Sequence, residues 1–108
     1  DTGCPLVTHY DMWRELVYFT KCIKGISNKF ALHTATLVNA NIAGVSDITG
    51  SIEVNKSGDL LIVKENPLND LSSLRNPQYV VFKGKVIKKK VKKYSRVEKV
   101  LDKALENL

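Results

Sequence analysis

Apolar side chains recur at helical spacing through the first part of the chain. Met12, Leu16, Phe19 and Ile23 lie four, three and four apart, and Trp13 and Val17 widen the stripe, which predicts an amphipathic helix. Thr8 followed by Asp11 gives this helix a capping-box-like start, with the hydroxyl taking an orphan N–H and the acid placed in the first turn. Gly25 suits a left-handed stop. Ser27 then caps a second helix whose apolar positions Ala31, Leu32, Ala35 and Val38 continue to about Ile42, with a restart at Thr36 and an end at Gly44. Its small side chains predict close packing against another element.

From Gly50 the period shortens. Ile52 and Val54 alternate with Ser51 and Glu53, and Asp59 is followed by the apolar run Leu60–Val63, so strands are expected here. Asn66-Pro67-Leu68-Asn69-Asp70 reads as a turn, with Asp70 or Ser72 capping a short helical turn through Leu74 before Pro77 interrupts it. Tyr79–Phe82 and Lys85–Lys89 form a hairpin joined at Lys83-Gly84, where glycine supplies positive φ. Ser95-Arg96-Val97-Glu98 has the form of a capping box, and Val97, Leu101, Ala104, Leu105 and Leu108 share one face of a terminal amphipathic helix. Two helices, a strand-rich module and a last helix define an α+β order.

With 44% hydrophobic and 26% charged residues among 108, the composition is that of an ordinary globular domain, which excludes collagenous, low-complexity and disulfide-scaffold classes. The net charge of +6 is concentrated at one end. From Lys83 onward ten Lys or Arg face three Asp or Glu, whereas the first 82 residues hold seven bases and eight acids. The basicity therefore belongs to a tail, and no specific nucleic-acid site is expected. Apolar runs extend only a few residues, so no membrane span and no membrane partner are expected. Cys4 and Cys22 have neither CxxC spacing nor a His at metal-ligand spacing, and reduced thiols of a cytoplasmic protein are the main reading, a disulfide the lesser one. The chain opens Asp1-Thr2-Gly3-Cys4-Pro5 with no initiator Met, as expected of part of a longer chain.

No Ser-His-Asp set, phosphate-cradling Gly loop or His/Cys cluster is present in the sequence. His33, among Leu32, Thr34 and Ala35, reads as a packed or surface residue. His9 stands at the start of the first helix, where a side chain can point into a neighbouring cleft. The order Asp1-Thr2-Gly3, His9 with Glu15-Leu16, Gly25-Ile26-Ser27, Ala35-Thr36 with Asn39-Ala40, Gly50-Ser51-Ile52-Glu53, Lys56, Asp59-Leu60, Asn66-Pro67-Leu68 and Gly84 resembles the C-terminal part of metal-dependent amidohydrolases. The likeness is to their imidazolonepropionase-like and prolidase-like branch and covers residues 1 to about 88. Asn55 stands where the family usually has Gly, and Gly58 where it usually has Ala.

The resemblance implies the last strand end and helices of a (β/α)₈ barrel over residues 1–49, part of a small β-sandwich over 50–93, and an amphipathic C-terminal helix over 94–108. It matches Asp1 to a catalytic strand-end carboxylate that ligates a divalent metal, expected to be zinc, and takes the proton of the attacking water. His9 is a candidate substrate-pocket residue of the intact enzyme, the other reading being a helix-start His that packs. The implied substrate is a small amide or peptide, such as a dipeptide or cyclic amide. A zinc site needs about three protein ligands, so the isolated chain is expected to hold no cofactor and to be inactive, and to self-associate through faces the barrel would cover. The competing reading is a stand-alone interaction module whose basic tail binds an acidic partner.

Overall fold

The computed structural model describes residues 8–88 and 92–108. Helix α1 spans Met12–Cys22, and a second helical rod follows as α2 (Asn28–His33), a π-helical stretch (Thr34–Val38) and α3 (Asn39–Ile42). Strands β1 (Leu60–Ile62), β2 (Tyr79–Phe82) and β3 (Lys85–Val86) form an antiparallel meander, with a 3₁₀ helix at Leu71–Arg75 between the first two. Helix α4, Ser95–Glu106, ends the chain.

The second rod begins and stops as its residues dictate. Ser27 Oγ accepts from the Phe30 N–H at 3.1 Å. At the far end Gly44 takes φ +71°, and the Val45 N–H reaches the Ala40 carbonyl at 2.9 Å, a Schellman closure. The expected restart at Thr36 is instead a change of hydrogen-bond pitch within an unbroken rod. There the Thr34 hydroxyl donates to Ala31 O at 2.7 Å and the Thr36 hydroxyl to Leu32 O at 2.8 Å, back-bonding that loosens the regular ladder. Both ends of the rod pack through alanine. Ala31, fully buried, joins Leu16 of α1 and Leu71 of the 3₁₀ helix as the core. Ala40 lies against Gly50, where an added Cβ would come within 2.5 Å of the Ala40 Cβ.

Helix α1 begins later than its cap-like signal. Asp11, not Thr8, is the N-cap and makes no side-chain cap bond, while the Thr8 hydroxyl donates to Asp11 Oδ2 at 3.1 Å. Its buried face also turns from Met12 and Ile23, both exposed, toward Trp13 and Leu16. Packing against the 3₁₀ helix selects that side.

The strand expected at Ile52 and Val54 is not formed. These residues are 87% and 90% exposed in a turn held by Lys56, Glu53 and Ser51, with Asn55 at φ +69°. Alternation prepares a segment for a sheet, but no described strand lies alongside to accept its backbone groups. The hairpin forms as expected. Lys83 and Gly84 both have positive φ, as a type I′ reversal requires, and Val81 pairs with Val86. Of the expected second strand Lys85–Lys89 only Lys85–Val86 forms; Ile87 and Lys88 leave the strand, and Lys89 lies outside the described residues. Gly58 has a reason of its own: a Cβ there would stand 3.2 Å from the Gly84 backbone, whose N–H donates to Gly58 O.

In α4 the capping box is absent. Tyr94 is the N-cap without a side-chain bond, and Glu98 is buried elsewhere. The helix rests on Leu101, Glu98 and Asp102, whereas Val97 and Leu108 of the expected apolar face stay exposed. Among the described residues no helix is long and apolar enough to cross a membrane.

Candidate functional site

Two features could carry function, a cleft and a charge cluster. The helices and the sheet border an open concave cleft of about 1520 Å³, lined by apolar side chains such as Leu32, Ala35 and Val80 and edged by Tyr10, Arg75 and Lys93. Tyr10 reaches it because the turn before α1 carries the chain along its margin.

The charge cluster stands beside that margin and joins three elements. Arg14 of α1 is withdrawn from solvent; its Nε donates to Asp11 Oδ2 at 3.0 Å, and its Nη2 donates to Glu98 Oε2 at 3.2 Å and Asp102 Oδ1 at 2.9 Å. Arg75, at the end of the 3₁₀ helix, donates to the same two α4 carboxylates at 2.9 and 3.0 Å. The indole of Trp13 donates to Asp11 Oδ1 at 3.0 Å and lies under both guanidinium groups, 4.6 Å from Arg14 and 5.3 Å from Arg75. Lys93 closes the edge by donating to Arg75 O at 3.1 Å.

Burial pushes the Asp11 carboxyl up, but hydrogen bonds led by that from Arg14 outweigh it and hold the group below the usual carboxylate range. Asp102 follows the same balance: burial raises it, and Arg75 and Arg14 bring it below its ordinary value. Burial works against both guanidinium charges, yet their acidic partners raise the two arginines further above neutrality. All of these groups are thus held charged and mutually engaged. Such a cluster clamps α4 onto the body, through Arg14 and Arg75 on one side and Glu98 and Asp102 on the other.

Among the described residues no group of three His, Cys, Asp or Glu side chains converges on a point where a metal could sit. Asp1, the carboxylate singled out from the sequence, lies outside the described residues. His9 is exposed on the turn before α1 and makes no hydrogen bond among the described residues, and His33 is exposed on α2. Cys22 is a free, exposed thiol, and Cys4 lies outside the described residues. The clamp was missed in the sequence. Its local halves were visible as Asp11/Arg14 and Glu98/Asp102 at helical spacing, but nothing local tells that the two pairs meet across 84 residues.

The comparisons agree with the layout of helices followed by a small meander. The model of the amidohydrolase family matches residues 3–87, and the chain belongs to that family. It is also similar to the crystal structure of a "putative prolidase" from Bifidobacterium longum, with 42% identity and a TM-score of 0.86 over 92% of this chain. The chain spans 24% of the length of that protein. That overlap is longer than residues 1–87, so the structural likeness reaches into the basic tail, beyond the limit read from the sequence. No curated protein matches the chain at a significant level.

Proposed function

We propose that these residues form the C-terminal part of a hydrolase that cleaves amide or peptide-like bonds, with a dipeptide or cyclic amide as substrate. The reading is carried by the family match over residues 3–87 together with a 42% identical solved relative described as a prolidase-type enzyme. On this reading residues 1–49 close the barrel, 50–93 contribute to the β-sandwich and 94–108 brace the two from outside. Asp1 is the strand-end carboxylate that receives the proton of the attacking water, and His9, exposed at the start of α1, borders the substrate pocket.

The family generally uses divalent metals, and zinc is the ion we assign. The described residues do not themselves fit one, since no ligand set converges among them. On this reading Asp1, which the family's motif matches, is one ligand, and the others come from outside these residues. A cytoplasmic enzyme with reduced Cys4 and Cys22 completes the proposal.

The test is made on the product of the complete gene. Purified with added zinc, it should hydrolyse members of a panel of dipeptides, N-acyl amino acids and cyclic amides and lose that activity to a chelator, while the 108-residue chain alone turns over none. Failure of the gene product on the whole panel with each common divalent metal, or full turnover by the short chain, would overturn the reading.

A further inference from the structure

The inward turn of Glu98 and Asp102 leaves the outer side of α4 with an excess of positive charge, Arg96, Lys99 and Lys103 against Glu106 alone. Glu98 and Asp102 are committed to Arg14 and Arg75. Arg96, Lys99 and Lys103, three and four residues apart, lie on the side away from Leu101; these three and Lys92 are exposed and have no ion-pair partner among the described residues. Next to this row runs a second apolar stripe at three, four and four: Val97, Val100, Ala104 and Leu108. Val97, Val100 and Leu108 are 43%, 68% and 59% exposed.

An apolar seam edged by uncompensated cations is the complement of an amphipathic helix with a carboxylate flank, in which carboxylates set partner choice and apolar side chains supply burial. We propose that the outer face of α4 is a docking surface for an acidic amphipathic helix of a partner protein. In that arrangement Val97, Val100 and Leu108 seat its apolar side chains, and Arg96, Lys99 and Lys103 pair with its carboxylates. Charge complementarity selects this occupant. Single-stranded nucleic acid would use the cations and stacking aromatics but not the valine seam, and a bilayer surface calls for bulkier apolar side chains than two valines, an alanine and one leucine. The surface is argued from α4 and its clamp and does not use the hydrolase reading.

The 108-residue chain is titrated with a peptide of three leucine heptads bearing Glu at the flanking positions. Three controls accompany it: the same peptide with Lys for Glu, phosphatidylserine vesicles, and a single-stranded RNA. Saturable binding of the Glu peptide is expected, weakened several-fold by Val100→Ser and roughly tenfold or more by the pair Lys99→Glu and Lys103→Glu. Trp13, the single tryptophan, reports whether the clamp persists. A variant that shifts its emission is replaced by Arg96→Glu on the same flank. Equal binding of the Lys peptide, insensitivity to these variants, or tighter binding of vesicles or RNA than of the Glu peptide would overturn the proposal.

Discussion

Arg14 and Glu98 stand 84 positions apart in the chain and 3.2 Å apart in space, both side chains almost fully removed from water. Each makes the other's burial tolerable. A charge stranded in such a place costs far more than the pair contributes, because the desolvation penalty remains when the counter-charge is gone. The α4 helix, which buries only Leu101 among its apolar side chains, is therefore held chiefly by this clamp.

Arg14→Met should accordingly destabilise the chain by about 3–5 kcal/mol, the range for breaking a buried pair from one side. Urea unfolding followed by Trp13 emission measures it, and adding Glu98→Leu should recover part of the loss. A change under about 1 kcal/mol would show that α4 is held by something other than the clamp.

Acid should release the same helix. Asp11 and Asp102 titrate below their ordinary range when folded, so at low pH the unfolded chain binds more protons than the folded one and stability rises with pH there. That contribution is complete above about pH 5 and is lost as pH falls through about 4 and below, where the folded carboxylates take up protons. The Tm should be flat from about pH 6 to 8 and fall steeply below about 4.5, and Asp102→Asn should flatten the acid limb.

Gly50 joins the second rod to the sheet segment at φ +97° with no room for a side chain against Ala40. Gly50→Ala should cost more than about 1 kcal/mol, since the left-handed backbone and the collision act together. Gly25→Ala supplies the comparison: it has φ +88° but open space around it, so it should cost less. Equal losses in thermal unfolding would mean that the Ala40 contact gives way freely.

The chain on its own should associate. Tyr79, Phe82 and Val86 on the sheet and Met12 and Phe30 on the helices are all exposed, and each large apolar side chain left in water forgoes about 1.5–3 kcal/mol. Unpaired strand edges add a template for pairing between chains. Sedimentation equilibrium over a hundredfold range of concentration should show a dimer or higher oligomer, weakened by Phe82→Lys. A constant monomer mass would contradict it.

In the product of the complete gene, Asp1→Asn should lower kcat by roughly 10²-fold or more with little change in KM, as loss of a general base does. His9→Ala should act mainly on KM if His9 borders the pocket. Unchanged kcat for the Asp1 variant would remove that residue from the chemistry.

Local rules were readable in the sequence because their causes are local. The hydroxyl at Ser27, the left-handed glycine at Gly44, the Asp70 bond to the Ser72 N–H at 2.8 Å and the two-residue reversal at Lys83-Gly84 each involve groups within a few positions of one another. The family likeness carried by the chain's motifs was legible in the same way and was met by the match over residues 3–87. Tertiary structure decided what depends on a distant partner. Alternation at Ile52 and Val54 cannot make a strand without a neighbour to bond. A capping box at Ser95 yields when Glu98 finds two arginines that bind it more strongly than a backbone N–H. The face α4 presents inward is set by Arg14 and Arg75, far away in sequence, and so no periodicity within the helix could have named it.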